Sequence, residues 1–421
     1  VKRPALLADA TWYGTLAAAR DLGRRGVPVT LGCDAATAPA RWSRYVSRVV
    51  RCPSTREHGA FAGWLRAFGA RHPPHVLYPT SDDAAWVLAA HREELQGRFL
   101  LYSPAPDALA TLLDKHRLAT AAAAAGLDAA ECWLARDEDD VARIADEVPF
   151  PLFVKPRAQL AASGGFKGTR VDRREDLLPV WQQARQSVRV PADVPPGLAA
   201  PLILRCYPAS ETILTVDGFL ARGGGAAMRA CHKVLQHPRR LGPGIVFEDA
   251  PLPATLACGL ERLLRQASYF GVFDAEFVRD GARWRLIDMN PRFYNHMAFE
   301  IDRGLPLPWL AYLGALEEED ALAAALAEAR RAAPRSAAFV HHLPATLMLA
   351  AQGLAGHMSA AERRGWRAWM RARRHAVTDP ARSAGDFWPW AADAVFHAAR
   401  LLRHPRAFLR GLARPPRGGA G

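Results

Sequence analysis

The stretch "GVFDAEFVRDGARWRLIDMN", residues 271–290, reads as two strands folded back on each other at Asp280-Gly281, and it constrains the fold more than any other segment. A hairpin demands an antiparallel sheet and a fixed register. Side chains alternate across a strand, so Trp284, Leu286, Asp288, Asn290 and Arg292 are expected on one face, apolar first and polar last. Glu276, on the first strand, faces Asp288 only if the connecting loop holds an odd number of residues. A three-residue loop of Asp280, Gly281 and Ala282 is therefore predicted, with Gly281 left-handed. Two carboxylates and an amide oxygen on one face make a hard-oxygen site that suits Mg2+, which takes one or two carboxylates and keeps waters and phosphate oxygens. Arg292, one step further on, is placed to reach a phosphate oxygen. The competing reading is a solvated strand end whose Asp288 and Asn290 cap the next segment.

Upstream, the first hundred residues alternate strand and helix: "PALLAD", a helix over Thr15–Arg25 closed by Gly26, "VPVTLG", "HVLYPT" and a helix from Asp82 to Leu95. This is a small α/β unit with a parallel sheet. Gly14 with Asp34 twenty residues later falls short of the three glycines of a dinucleotide fingerprint. Leu112–Ala125 reads as one helix, with Gly126 just past its end. In "FPLFVKPRAQLAASGGFKGTRV", Lys155 ends an apolar strand before a loop holding Ser163, Gly164, Gly165, Lys167 and Gly168. Glycine lets backbone N–H groups close around phosphates, although the alternative is a plain surface turn and the P-loop pattern is absent. Residues 187–200 are Pro-rich and loop-like, "PLILRCYPASETILTVDG" gives two strands joined by a bend, and the chain is helical and arginine-rich from about 318.

At 421 residues, two to four compact units are expected. No run of about 18 uncharged apolar residues offers a membrane span. "VKRPALLADA" lacks a signal peptide's apolar stretch, and six scattered cysteines without a CxxC pair favour reduced thiols, so a cytoplasmic location is expected. The net charge of +13 does not imply a nucleic-acid partner, since no zinc-finger spacing or aromatic RNA-binding signature accompanies it. Lysine is the more telling cation. Only Lys2, Lys115, Lys155, Lys167 and Lys233 stand among 55 basic residues, so a retained lysine marks a place needing a compact ammonium.

The order "DK" (Asp114-Lys115), "FVKPR" with its glycine loop, "RCYPASE", "FDAEF" and "LIDMNPR" resembles the ATP-grasp superfamily over roughly residues 1–310. Within it, "HKVLQHP" and "VTDPARS" resemble bacterial carboxylate–amine ligases; D-alanine–D-alanine ligase and biotin carboxylase are more distant members. The resemblance implies an ATP-grasp fold, α/β plus α+β. Its N-terminal parallel-sheet domain would span 1–108, its two ATP-gripping subdomains 109–204 and 205–344, and a helical basic extension 345–421. It implies that Lys115, Lys155 and the loop with Ser163, Gly164, Gly165 and Lys167 contact ATP phosphates. Adenine would lie against the backbone of Leu204, Arg205, Cys206 and Tyr207, and Glu211 would take the ribose. Glu276, Asp288 and Asn290 would hold Mg2+, or Mn2+ in its place, with Arg292 and Lys233 acting on the transferring phosphate. Two departures stand out: no acid near Arg205-Cys206, and Asp288 where glutamate is commoner.

The implied activity is amide formation between a small-molecule carboxylate and an amine through an acyl phosphate. A non-catalytic ATP-binding protein and an ATP-grasp kinase are the alternatives. His232, His237 and His296 are candidate bases toward the amine, and the loops 11–14 and 80–83 with Phe293–Asp302 are candidate substrate contacts. The C-terminal tryptophans Trp366, Trp369, Trp388 and Trp390 lie among arginines. They read first as a helical cap packed on the core, and second as a basic amphipathic helix in weak contact with an anionic membrane surface. A homodimer is compatible with the sequence.

Overall fold

Three sheets, each drawn from one contiguous stretch of chain, organise the molecule. The computed structural model describes residues 2–33, 35, 37–158, 160, 168–187, 190–207, 213–237, 242–404 and 412. The first sheet holds β1 (Ala5–Leu7), β2 (Val29–Gly32), β3 (Val46–Val50), β4 (His75–Leu77) and β5 (Phe99–Leu101), all parallel, in the order β3-β2-β1-β4-β5. β1 is apolar throughout because helices cover both faces. Leu6 packs with Phe61, Leu65 and Val87 on one side, while Ala5 and Leu7 pack with Leu16 and Ala18 on the other.

The second sheet is antiparallel: β6 (Cys132–Trp133), β7 (Leu152–Pro156), β8 (Thr169–Val171) and β9 (Pro201–Arg205), in the order β6-β9-β7-β8. Leu152, Val154 and Ile203 pack on Ile144 and Trp181 of two backing helices. The third contains β10 (Ile213–Leu220), β11 (Ala226–Gln236), β12 (Gly244–Ala250), β13 (Gly271–Asp280), β14 (Arg283–Asn290), β15 (Ala338–Val340) and β16 (Val377–Thr378). Their order is β14-β13-β10-β11-β12-β15-β16, antiparallel except for β15–β16. Period-two alternation divides this sheet. Leu214, Val216, Ala275, Phe277, Leu286 and Met289 bury one face against the helices Lys115–Ala124 and Ala254–Gln266. Each such Leu or Phe contributes roughly 1.5–3 kcal/mol. Thr215, Asp217, Cys231, Lys233, Asp274 and Glu276 share the other face.

The fold class is the one expected, a parallel α/β unit, then α+β units and helices, but several local readings are corrected. The hairpin closes on a two-residue turn, with Asp280 paired to Arg283 and Gly281 at φ +59°. The odd residue sits in the strand instead: Phe277 pairs with Leu286 and Glu276 with Asp288, leaving Ile287 as a β-bulge. The bulge resets the alternation. Trp284 and Leu286 therefore join the apolar face, and Asp288 and Asn290 lie on the other, so the five residues expected on one face divide between two.

The single helix expected over Leu112–Ala125 is two helices, Pro106–Leu113 and Lys115–Ala124. Asp114 breaks them in extended backbone and caps the second, accepting from the N–H groups of His116 and Arg117 at 3.0 and 3.4 Å. The region after 318 is helical but also supplies β15 and β16, so the 344/345 boundary falls inside a sheet. Trp366 and Trp369 pack against the cluster of Leu235, Val246 and Met348, whereas Phe387 and Trp388 are 58% and 65% exposed. Among the described residues, no helix is long and apolar enough to cross a membrane.

Candidate active site

The bulge at Ile287 brings two carboxylates directly opposite each other, Glu276 on β13 and Asp288 on β14. Each meets a buried lysine from a different element. Lys233 of β11 donates to Glu276 Oε1 at 2.5 Å, and Lys115, at the start of its helix, donates to Asp288 Oδ1 at 2.8 Å. Burial works against the Lys233 charge, but Glu276 outweighs it and raises the ammonium pKa. Burial likewise opposes the Asp288 charge, and Lys115 outweighs it, holding that carboxyl low. Asp114, which the sequence reading left without a role, sets Lys115 in place. Its carboxylate caps the helix and accepts from Arg157 Nε at 2.7 Å, while the Lys115 N–H donates to Arg157 O at 3.1 Å. An Asp directly before a helix-forming run was the available signal.

Lys155 of β7 belongs to the same cluster, from the opposite sheet. Burial depresses its pKa first, then the charges of Lys115 and Lys233, against the pull of Asp288 and Glu276. Gly168, the described member of the glycine loop, lies against this lysine at φ +126°, and a Cβ there would stand 2.7 Å from Lys155 Cγ. Gly168→Ala is thus expected to push Lys155 aside and to strain the backbone. The nucleotide binding that the sequence resemblance implies should weaken at least tenfold with little change in fold, measured by titration calorimetry beside circular dichroism.

Arg292 completes the polar edge. It forks onto Asp82, with Nε and Nη2 at 2.9 and 3.3 Å, and donates to Asn290 Oδ1 at 2.9 Å and to Phe293 O at 2.9 Å. Asp82 starts a helix of the first unit, so this fork fixes the strand end to the parallel-sheet domain. Asn290 passes the network inward through Nδ2 to Asp274 Oδ2 at 3.0 Å. Burial raises the Asp274 carboxyl to about 8 and that of Asp217, its cross-strand partner, to about 7. Asp217 is also in contact with Thr215 Oγ1 and with His296 Nε2, each at 3.2 Å. This buried acidic layer was missed in the sequence, although Asp274 lies two residues before Glu276 and therefore on its face.

No family model matches the sequence, and no curated protein matches it. Solved structures do. The biotin carboxylase domain of Hydrogenobacter thermophilus 2-oxoglutarate carboxylase, in complex with MgADP and bicarbonate, superposes with TM-score 0.59 at 14% identity, covering 75% of this chain and 70% of that one. N5-carboxyaminoimidazole ribonucleotide synthetase from Thermus thermophilus gives 0.55 at 18% identity, covering 74% and 78%. An L-amino acid ligase from Bacillus licheniformis gives 0.55 at 16% identity, covering 75% of both chains. All three are ATP-grasp enzymes. The fold is the ATP-grasp fold.

In this ATP-grasp frame, the structure brings together Lys115, Lys155, Lys233, Glu276, Asp288, Asn290 and Arg292. Ser163, Gly164, Gly165, Lys167 and Glu211 lie outside the described residues. At the hinge, the N–H of Arg205 donates to Glu131 O and that of Cys206 to Pro151 O. Glu131 Oε1 pairs with Arg205 Nη1 at 3.0 Å, which sets an acid beside the hinge. Tyr207 turns its hydroxyl to the Glu131 N–H at 3.0 Å. The three histidines disperse. His232 faces away from Lys233 on its strand, His237 meets Met348 Sδ, and His296 is buried at Asp217, where burial keeps its imidazole pKa low.

Proposed function

We propose that this chain is an ATP-dependent carboxylate–amine ligase. ATP gives its γ-phosphoryl group to a substrate carboxylate, and an amine then displaces phosphate from the acyl phosphate, leaving ADP, phosphate and an amide. The observation that carries this reading is the convergence of three lysines, from two sheets and a helix start, on one cross-strand pair of carboxylates. Such an arrangement matches a polyanion approached by cations with a hard-metal seat beside it.

The residues fit Mg2+ by donor chemistry. Glu276 and Asp288 are register partners, and Asn290 Oδ1 keeps a lone pair while accepting from Arg292. When bound there, Mg2+ would neutralise charge on the phosphate oxygens. Lys155, Lys115 and Lys233 would bind and orient those oxygens, and Arg292, held by Asp82, would position the group in transfer. No side-chain nucleophile is required. The likeness to the L-amino acid ligase supports amino acids as the first substrates to offer.

The test is release of ADP and phosphate with Mg-ATP across amino acids offered singly and in pairs, with mass spectrometry of products. Turnover that needs two substrates and yields an amide mass is expected. Phosphorylation of one substrate without an amine would favour a kinase, and binding of ATP without turnover would favour a binding protein.

A further inference from the structure

We infer that His341, Asp393 and His397 form a second metal site, for a divalent cation of the zinc class, that pins the helix Trp388–Arg403 to the segment after β15. The inference does not depend on the reaction proposed for the first site. The three residues come from two elements far apart in sequence: His341 follows β15 directly, and Asp393 and His397 lie one helical turn apart on one helix face. Their ligand atoms all fall within 4.8 Å of one another. His341 Nε2 is 3.2 Å from Asp393 Oδ2, and His397 Nε2 is 3.4 Å from Asp393 Oδ1. Ligands about 2.0–2.1 Å from a tetrahedral ion stand about 3.3 Å apart, so little movement separates this arrangement from coordination.

The chemistry also favours a cation. Asp393 is 1% exposed, and its partners among the described residues are His341, His397 and the Tyr13 hydroxyl at 2.5 Å. None of these carries a fixed positive charge, so a buried carboxylate lacks the Arg or Lys that normally balances it. Two imidazoles and a carboxylate are a borderline-soft donor set, which suits zinc and its neighbours rather than Mg2+. Tyr13 is placed to fill the fourth position or to orient a water there. Nearby, His342 Nδ1 and Asp379 Oδ2 lie 2.8 Å apart and support the same corner. The consequence is local and structural. Tyr13 precedes Gly14, whose Cα packs so tightly on Tyr294 that a Cβ would stand 2.5 Å from its carbonyl oxygen. An ion at Asp393 would therefore stiffen the start of the helix Tyr13–Arg24, which packs on the segment following Arg292.

The untagged full-length protein, stripped by chelator, should bind one equivalent of Co2+ with the intense visible bands of four-coordinate cobalt, and Zn2+ should displace it. Zn2+ should also raise the melting temperature. His397→Gln and Asp393→Asn should each weaken binding at least tenfold, with circular dichroism confirming that the variant is folded, whereas Cys231→Ser should leave it unchanged. No Co2+ bound at micromolar concentration would overturn the inference, as would binding unaltered in folded His397→Gln. So would a thiolate-to-cobalt band lost in Cys231→Ser, which would place the ion at the other His-Cys-Asp cluster, Asp217, Cys231 and His296.

Discussion

Glu276→Gln is expected to lower Mg-ATP-dependent turnover about 100- to 1,000-fold, the scale of losing one preorganised electrostatic contact in a site of this kind. Glutamine keeps the size of the side chain and still accepts from Lys233, so the hydrogen bond at 2.5 Å has a surviving partner. What disappears is one of the two charges facing each other across β13 and β14. A dication held by two carboxylates and an amide would be left with one carboxylate and two amides, and its affinity should fall with that charge. The measurement is steady-state ADP release with Mg2+ or Mn2+ varied, together with metal-free nucleotide binding. The expected pattern is a large loss in kcat, a higher metal requirement and nucleotide binding that is little changed without metal. Retention of more than half the activity at saturating Mg2+ would mean that the metal sits elsewhere. Loss of secondary structure would show instead that Lys233, buried at β11, cannot tolerate a neutral neighbour.

The sequence carried these carboxylates to within one residue of the correct geometry, and the remaining step shows what pattern reading can and cannot do. Parity required an odd residue somewhere between Glu276 and Asp288, and the turn was the natural place for it. The chain put it at Ile287 instead, because a two-residue turn and a bulge satisfy the same parity while moving Leu286 onto the buried face with Phe277. Both solutions place the acids together, but only packing chooses between them. Lysine scarcity was informative for a similar reason. In a chain where arginine is the default cation, Lys115, Lys155 and Lys233 lie together around two acids. The burial of the inner acids Asp217 and Asp274 was not legible. Their burial depends on β10, β11 and the segment of His296, which come together only in the folded sheet.

Nor was the role of the C-terminal extension legible, and there the largest stability effect is expected. Asp386→Ala should destabilise the protein by about 3–5 kcal/mol, the usual cost of removing one partner from a buried ion pair. Arg20 and Asp386 are 5% and 2% exposed, with Nε donating to Oδ2 at 2.8 Å. The other guanidinium nitrogens donate to Pro380 O and Ala381 O at 2.8 and 2.7 Å. Asp386 also accepts from Ser43 Oγ at 2.8 Å and from the Arg44 N–H at 2.9 Å. These contacts tie residues 380–386 to the first unit across more than 340 positions of sequence, so the extension works as a strap rather than an appendage. Burial already depresses the Arg20 pKa despite Asp386. Without the carboxylate, a charged guanidinium would remain in the interior, answered by carbonyls and by the charge of Asp379, which does not bond to it directly. Arg20→Met combined with Asp386→Ala should recover most of the loss, since an apolar pair leaves no charge to desolvate. Denaturant unfolding of the two single variants and the double gives the coupling directly, and limited proteolysis should cut near residue 380 faster in Asp386→Ala. A cost below about 1 kcal/mol, the range of an exposed pair, would mean that water reaches Arg20 and that the strap is held by its other contacts.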